Sequence, residues 1–233
     1  VSLEQIIILA FVQGLTEFLP ISSSGHLVLV SYLFGWEDQG LMMDVSAHVG
    51  SLVAVIIYFY KDVLRMFSGL WHLLRGRIND DGRLVINLII ATIPAVFVGL
   101  FIDSFVGEAL RSVTLIAIIG IIFGLLLYGA DKVGQQTKTG TNVTHKEALL
   151  YGLAQSLALI NGVSRSGICM TAGRKMNYRR ADTARFAFLM AIPTIAGAGI
   201  LKGYQLFKSG DTSILQDASL MAFFSLIFGF CAI

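Results

Sequence analysis

Two stretches decide the fold: residues 84–102, LVINLIIATIPAVFVGLFI, and residues 112–130, SVTLIAIIGIIFGLLLYGA. Each runs 19 residues without a charge, close to the length a helix needs to cross the hydrocarbon of a bilayer. Working outward, 45–60, 186–201 and 218–233 are further charge-free runs of 16 residues that read as spans. The last stops inside its apolar run with no flanking charge, so one or more further helices, or an unusual end, are expected there. No basic segment precedes the first apolar run and no small-residue cleavage site follows it, so that run is expected to belong to the fold rather than to a signal peptide.

Composition agrees. The chain is 55% hydrophobic and 14% charged, with a mean hydropathy of +0.76, whereas soluble domains carry nearer a quarter charged residues. Cys169 and Cys231 lie in apolar stretches and suggest neither a disulfide framework nor a metal site. Of the 17 Lys and Arg, 13 fall in three blocks, 61–83, 131–147 and 174–185. Membrane-length apolar runs separate the blocks, so the pattern is that of cytoplasmic loops and not of a nucleic-acid surface.

Segments 5–33 and 148–173 do not read as simple spans. Each has Gly, Ser, Pro or Asn near its centre and a charge at what would be membrane depth, where irregular backbone survives only if protein or a wet cavity buries it. With the three basic blocks inside, 148–173 must enter from the cytoplasm and turn back, while the acidic segment 34–45 lies outside. An offset of 142 aligns QGLTEFLPISSSG (13–25) with QSLALINGVSRSG (155–167). The expected architecture is therefore an all-α polytopic membrane protein, a single membrane domain over 1–233. Its repeat halves, 1–130 and 148–233, are joined by a cytoplasmic loop, 131–147. They are expected to be inverted-topology repeats whose two re-entrant helical hairpins meet near mid-membrane.

The chemistry is expected at those tips. Glu17 has no basic neighbour in sequence, and an ionised carboxylate at that depth needs a charge, a metal or donors. Arg165 is the one basic side chain outside the loops and their edges, and its planar fork matches phosphate oxygens. Ser22, Ser23, Ser24 and Gly25 before His26, and Ser164, Ser166 and Gly167 around Arg165, read as two helix openings whose free N–H groups suit an anion. Gln13 shares a helix face with Glu17 and could orient it, hold a metal with it, or touch substrate. His48, in an apolar helix, is expected to support the site from behind.

QGLTEFLPISSSGH and GVSRSG resemble the undecaprenyl-diphosphate phosphatase family, the bacitracin-resistance membrane phosphatases also called BacA or UppP. HVGSLVAV and TIPAVFVGL extend the resemblance along the chain. It implies removal of the terminal phosphate of a C55 polyprenyl diphosphate at the outer face of the bacterial plasma membrane, with a divalent cation, Mg²⁺ or Ca²⁺. The product serves as the lipid carrier for wall polymers. It also implies Glu17, Ser23, His26 and Arg165 as the catalytic group and Glu17, with Gln13, as the metal position. Asn161 stands where the family usually has Pro, and Cys169 where it has Thr. The expected surroundings are the polyprenyl-diphosphate lipid and bilayer lipids, with no nucleic acid; a homodimer is compatible with all of this. Ser23, His26 or a water activated by His26 could be the nucleophile, with Ser23 preferred and His26 as its base. A lipid or small-molecule transporter is the rival reading, because inverted repeats with broken helices are also a transport architecture. A PAP2-type phosphatase would need a His after Arg165, and none follows.

Overall fold

A computed structural model describes residues 1–105, 111–140 and 143–233. The described residues form ten α-helices: α1 Leu3–Thr16, α2 Ser23–Leu33, α3 Gly40–Tyr58, α4 Tyr60–Leu74, α5 Asp80–Phe105, α6 Val113–Val133, α7 His145–Leu157, α8 Arg165–Lys175, α9 Arg180–Ser209 and α10 Thr212–Ala232. Five of them, α3, α5, α6, α9 and α10, are long and apolar enough to cross a membrane. They take in the five spans expected from the charge-free runs, except that 45–60 runs past the end of α3 to the start of α4, so the protein is an all-α polytopic membrane protein.

The helix ends follow from local chemistry. The Ser2 hydroxyl accepts the Gln5 N–H at the start of α1. Thr144 and Glu147 cap α7 reciprocally, Thr144 Oγ1 accepting the Glu147 N–H and Glu147 accepting the Thr144 N–H. Burial pulls the Glu147 carboxyl up, but hydrogen bonds from Lys138, Thr144 and Tyr178 outweigh it and bring it down to about 2, so this cap stays charged through the neutral range. The basic segment 61–83, read from sequence as a loop, is largely the helix α4, set off from α3 by a break at Phe59. The break before α5 is confined to residues 75–79, and the helical spacing of the segment's apolar residues won over its charge.

Two larger cores organise the bundle, with a small third one between α3 and α9 at Leu52, Ala191 and Ile195. One gathers α5, α7, α8 and α9 around Leu84, Leu88, Tyr151, Phe186 and Met190. The other gathers α1, α2, α3 and α10 around Ile6, Leu9, Leu27, Met43 and Met221. Each half of the chain thus lends a long helix to one core, α5 in the first case and α10 in the second. α3 and α10 approach so closely at Gly50 that an added Cβ would lie 2.1 Å from the Ala222 carbonyl oxygen. Gly50→Val is therefore expected to destabilise the bundle by about 3 kcal/mol or more, beyond ordinary overpacking. Gly129→Val, with open space around it, should be near neutral. Thermal unfolding in detergent checks the pair, and equal midpoints would contradict the close contact.

Candidate functional site

The two short helix pairs are near copies at the level of bonds as well as boundaries. α1 and α2 start at 3 and 23, α7 and α8 at 145 and 165, each 142 residues on. Ser22 caps α2 by accepting the Gly25 N–H at 3.3 Å, and Ser164 caps α8 by accepting the Gly167 N–H at 3.1 Å. Hydroxyls two residues apart face each other in both, Ser22 with Ser24 and Ser164 with Ser166. The Gln13 amide donates to Ser51, and the Gln155 amide donates to Thr194. The tips touch, since Ser166 Oγ donates to the Leu19 carbonyl at 3.1 Å.

What differs between the copies is the chemistry. The first residue of α2 is Ser23 and that of α8 is Arg165. Glu17 has Leu159 as its counterpart. Glu17 sits just past α1, only 5% exposed. Its Oε1 accepts from Arg165 Nη2 at 2.7 Å, while Arg165 Nη1 donates to the Ala187 carbonyl at 3.1 Å. Its Oε2 accepts from the Ser23 hydroxyl at 2.7 Å and from Gln13 Nε2 at 3.0 Å. The buried carboxylate is thereby paired and hydrogen-bonded on both oxygens, which is what its burial demands.

The imidazole at this centre is that of His48. Its Nε2 lies 3.3 Å from Ser23 Oγ and 3.5 Å from Glu17 Oε2. Its Nδ1 lies 2.7 Å from the Asp44 carbonyl oxygen. A carbonyl can only accept, so Nδ1 carries a proton, and in the neutral ring Nε2 presents its lone pair to Ser23. His26 is directed elsewhere, with its Nδ1 2.9 Å from the Ser22 carbonyl; it braces the first turn of α2. The Asp44 carboxylate, one helical turn before His48, accepts from Gln39 at 2.5 Å and from Arg111 Nη1 at 2.6 Å. Arg111 also pairs with Asp38, joining the starts of α3 and α6.

These groups border a cavity of about 200 Å³. Glu17, Ser22, Ser23, Ser24, His48, Ser164, Arg165 and Ser166 form its polar side, together with Asn161, Gln155 and Thr194. Leu41, Val45, Ala95, Leu159, Ile195 and Ala198 supply an apolar wall from α3, α5, α9 and the segment after α7. Of the residues expected from sequence, Gly25, His26, Gly167, Cys169 and Gln13 stand outside this lining. Gln13 lies behind Glu17, fully buried, its Oε1 without a hydrogen-bond partner. Cys169 is fully buried in the second-half core. Gly162, at φ +99°, turns the chain beside Asn161, where an added Cβ would lie 2.6 Å from the Ile116 carbonyl oxygen. Asp44, Gln155 and Thr194 border the cavity without having been singled out from sequence. Their signal was faint: Asp44 at four residues before His48, and Gln155 as the repeat partner of Gln13.

A guanidinium and a hydroxyl facing each other from two helix N-termini can hold an anion and offer it a nucleophile. The lipid-spanning bundle around them makes this a helical membrane protein that handles an anionic group beside lipid. The chain belongs to the BacA family: the family model described as "Bacitracin resistance protein BacA" matches residues 6–233. It is similar to proteins named "Undecaprenyl-diphosphatase" from three bacteria. That from Ruegeria pomeroyi is 46% identical over 97% of this chain and 85% of its own. That from Roseobacter denitrificans is 48% identical over 95% and 84%, and that from a Jannaschia species 45% identical over 100% and 88%.

Proposed function

We propose that this chain hydrolyses the terminal phosphate of undecaprenyl diphosphate, leaving the lipid monophosphate and inorganic phosphate. The names of its relatives support the substrate. The observation that carries the chemistry is the Ser23 hydroxyl, bonded to one oxygen of Glu17 while Arg165 holds the other. In this reading the terminal phosphate takes the place of the carboxylate on Arg165, between the starts of α2 and α8. Ser23 Oγ forms a bond to the terminal phosphorus, and the anhydride bond breaks with its electron pair leaving on the lipid phosphate. The Ser23 proton passes to Glu17 and His48, which lie close enough to act as one base. Water then attacks the phosphoserine, inorganic phosphate departs, and Ser23 regains a proton.

Purified protein should release inorganic phosphate from undecaprenyl diphosphate in micelles. A preparation that moves the lipid across vesicles without releasing phosphate would favour transport instead.

His48→Gln should lower turnover about 10²-fold, within the range for a lost acid–base group. His26→Gln acts through the Ser22 carbonyl and should cost far less. Near-normal turnover in His48→Gln would remove His48 from the base.

A divalent cation, Mg²⁺ or Ca²⁺, fits the donor set in a limited way. Glu17 and the partnerless Gln13 Oε1 are hard oxygen donors, but among the described residues no group of three His, Cys, Asp or Glu could hold an ion unaided. Such a cation would be shared with the diphosphate, as Mg²⁺ commonly is, and when bound would neutralise phosphate charge. Chelation should abolish release, and either ion should restore it; full turnover in excess chelator would remove the cation from the reading.

We also place the protein in the bacterial plasma membrane with the cavity toward the exterior. The three basic blocks lie inside by the positive-inside pattern. Leu41, Asp44, Val45 and His48 then come from the outer half of α3, and Ala95 and Ala198 from the outer halves of α5 and α9. α1 and α2, with 14 and 11 residues, reach about 21 and 16 Å at 1.5 Å per residue. Both are short of a hydrocarbon core of roughly 30 Å, which supports re-entrant hairpins, and the recurring bonds support inverted repeats.

A further inference from the structure

Helix α4 takes no part in the site, yet it is the most strongly two-sided of the described helices. Tyr60, Leu64, Phe67, Trp71 and Leu74 fall within about 80° of one another at 100° per residue, and they are 54 to 74% exposed. The opposite side is the packed one. There Asp62, 3% exposed, accepts two hydrogen bonds from Arg185 Nη2, at 2.6 and 2.8 Å, and lies 3.5 Å from Arg65. Arg65 in turn donates to Asp81 at 2.9 Å. At Gly69 the backbone comes so close that an added Cβ would lie 2.3 Å from the Asp81 carbonyl oxygen. α4 is thus fastened to the first turn of α5 and the second turn of α9, near where those spans begin, with its apolar stripe turned away from the bundle.

Charge decides what covers that stripe. Lys61, Arg75, Arg77 and Arg83 are exposed, and among the described residues none of them is in an ion pair. Arg75 lies over the Trp71 ring, 4.4 Å from its centroid, so one cation sits at the edge of the apolar face. The carboxylates of Asp62 and Asp81 are already engaged by arginines, which leaves Asp80 as the exposed acid of the segment against these four cations. A helix with one aromatic and aliphatic side and cations along its border is built to lie in a bilayer interface. We propose that α4 lies in the plane of the membrane on the side of the basic segments and binds anionic phospholipid headgroups through Lys61, Arg75 and Arg77, with its apolar stripe among the upper acyl carbons. Each cation near an anionic leaflet adds to such an attraction, and its loss should be seen as a loss of lipid preference rather than of turnover.

Trp71 reports on this. The chain has two tryptophans, so Trp36→Phe leaves Trp71 as the sole tryptophan, read with excitation that spares the tyrosines. In vesicles of mixed phosphatidylcholine and phosphatidylglycerol, bromine on the phosphatidylglycerol chains should quench Trp71 severalfold more than the same bromine on phosphatidylcholine. Bromine high on the chain should quench more than bromine near its end. Lys61→Gln, Arg75→Gln and Arg77→Gln together should abolish the preference for phosphatidylglycerol while phosphate release is unchanged. If Trp71 in the parent chain is quenched by neither lipid, the stripe faces water or a second copy and the proposal is overturned. Equal quenching by the two lipids overturns it too, because the headgroup contact is then absent. The parent chain decides by itself should the triple variant fail to fold.

Discussion

Arg165→Ala is expected to lower kcat/KM for undecaprenyl diphosphate by about 10⁴-fold, and Arg165→Lys to recover little of it. The guanidinium spans two acceptors at once, the Glu17 carboxylate at 2.7 Å and the Ala187 carbonyl at 3.1 Å. An ammonium is a single point charge on a flexible stem and cannot hold that orientation toward phosphate. One preorganised donor aimed at developing charge is worth roughly 10² to 10³ in rate, and full removal of the cation adds the loss of substrate binding. The alanine variant also leaves Glu17 buried without its charge partner, which typically costs about 3 to 5 kcal/mol of stability. Adding Glu17→Gln to Arg165→Ala should therefore restore much of the thermal stability and none of the turnover. If stability and turnover recovered together, Arg165 would be a structural partner of Glu17 and not a binder of phosphate.

Glu17→Gln alone is expected to cost about 10³-fold or more in turnover with the protein still folded. The amide is close to isosteric, so the contacts of Gln13 and Arg165 change in strength more than in position. What disappears is the negative oxygen that the Ser23 hydroxyl points to at 2.7 Å, and serine without a base is a poor nucleophile. Ser23→Ala should fall to a similar rate, and the double variant should lose hardly more than either single one, because residues acting as a unit are not additive. Phosphate release measured on the three variants gives the answer. Fully additive losses would mean that Glu17 and Ser23 act separately.

Much of this was legible in the chain itself. Charge-free runs of membrane length marked all five crossing helices, since burying charge in lipid is too costly for the pattern to be hidden. Segments 13–25 and 155–167 announced the site because Ser, Gly and single charges are conspicuous in an apolar context. α4 was hidden by its own composition: its cations read as a loop, and only the 3.6-residue spacing of its apolar side reveals a helix.

The choice of imidazole shows where sequence stops. His26 is three residues from Ser23 and His48 is twenty-five away, so proximity along the chain favours His26. Yet His26 turns back to the Ser22 carbonyl, while α3 carries His48 up to Ser23. Sequence alone determined that this is a membrane bundle with a few costly polar groups near its two short helix pairs, because composition and hydropathy act locally. Which of those groups meet was decided by the tertiary structure, since side chains from α2, α3 and α8 converge on the turn after α1 and bring Glu17, Ser23, His48 and Arg165 together from positions up to 148 residues apart.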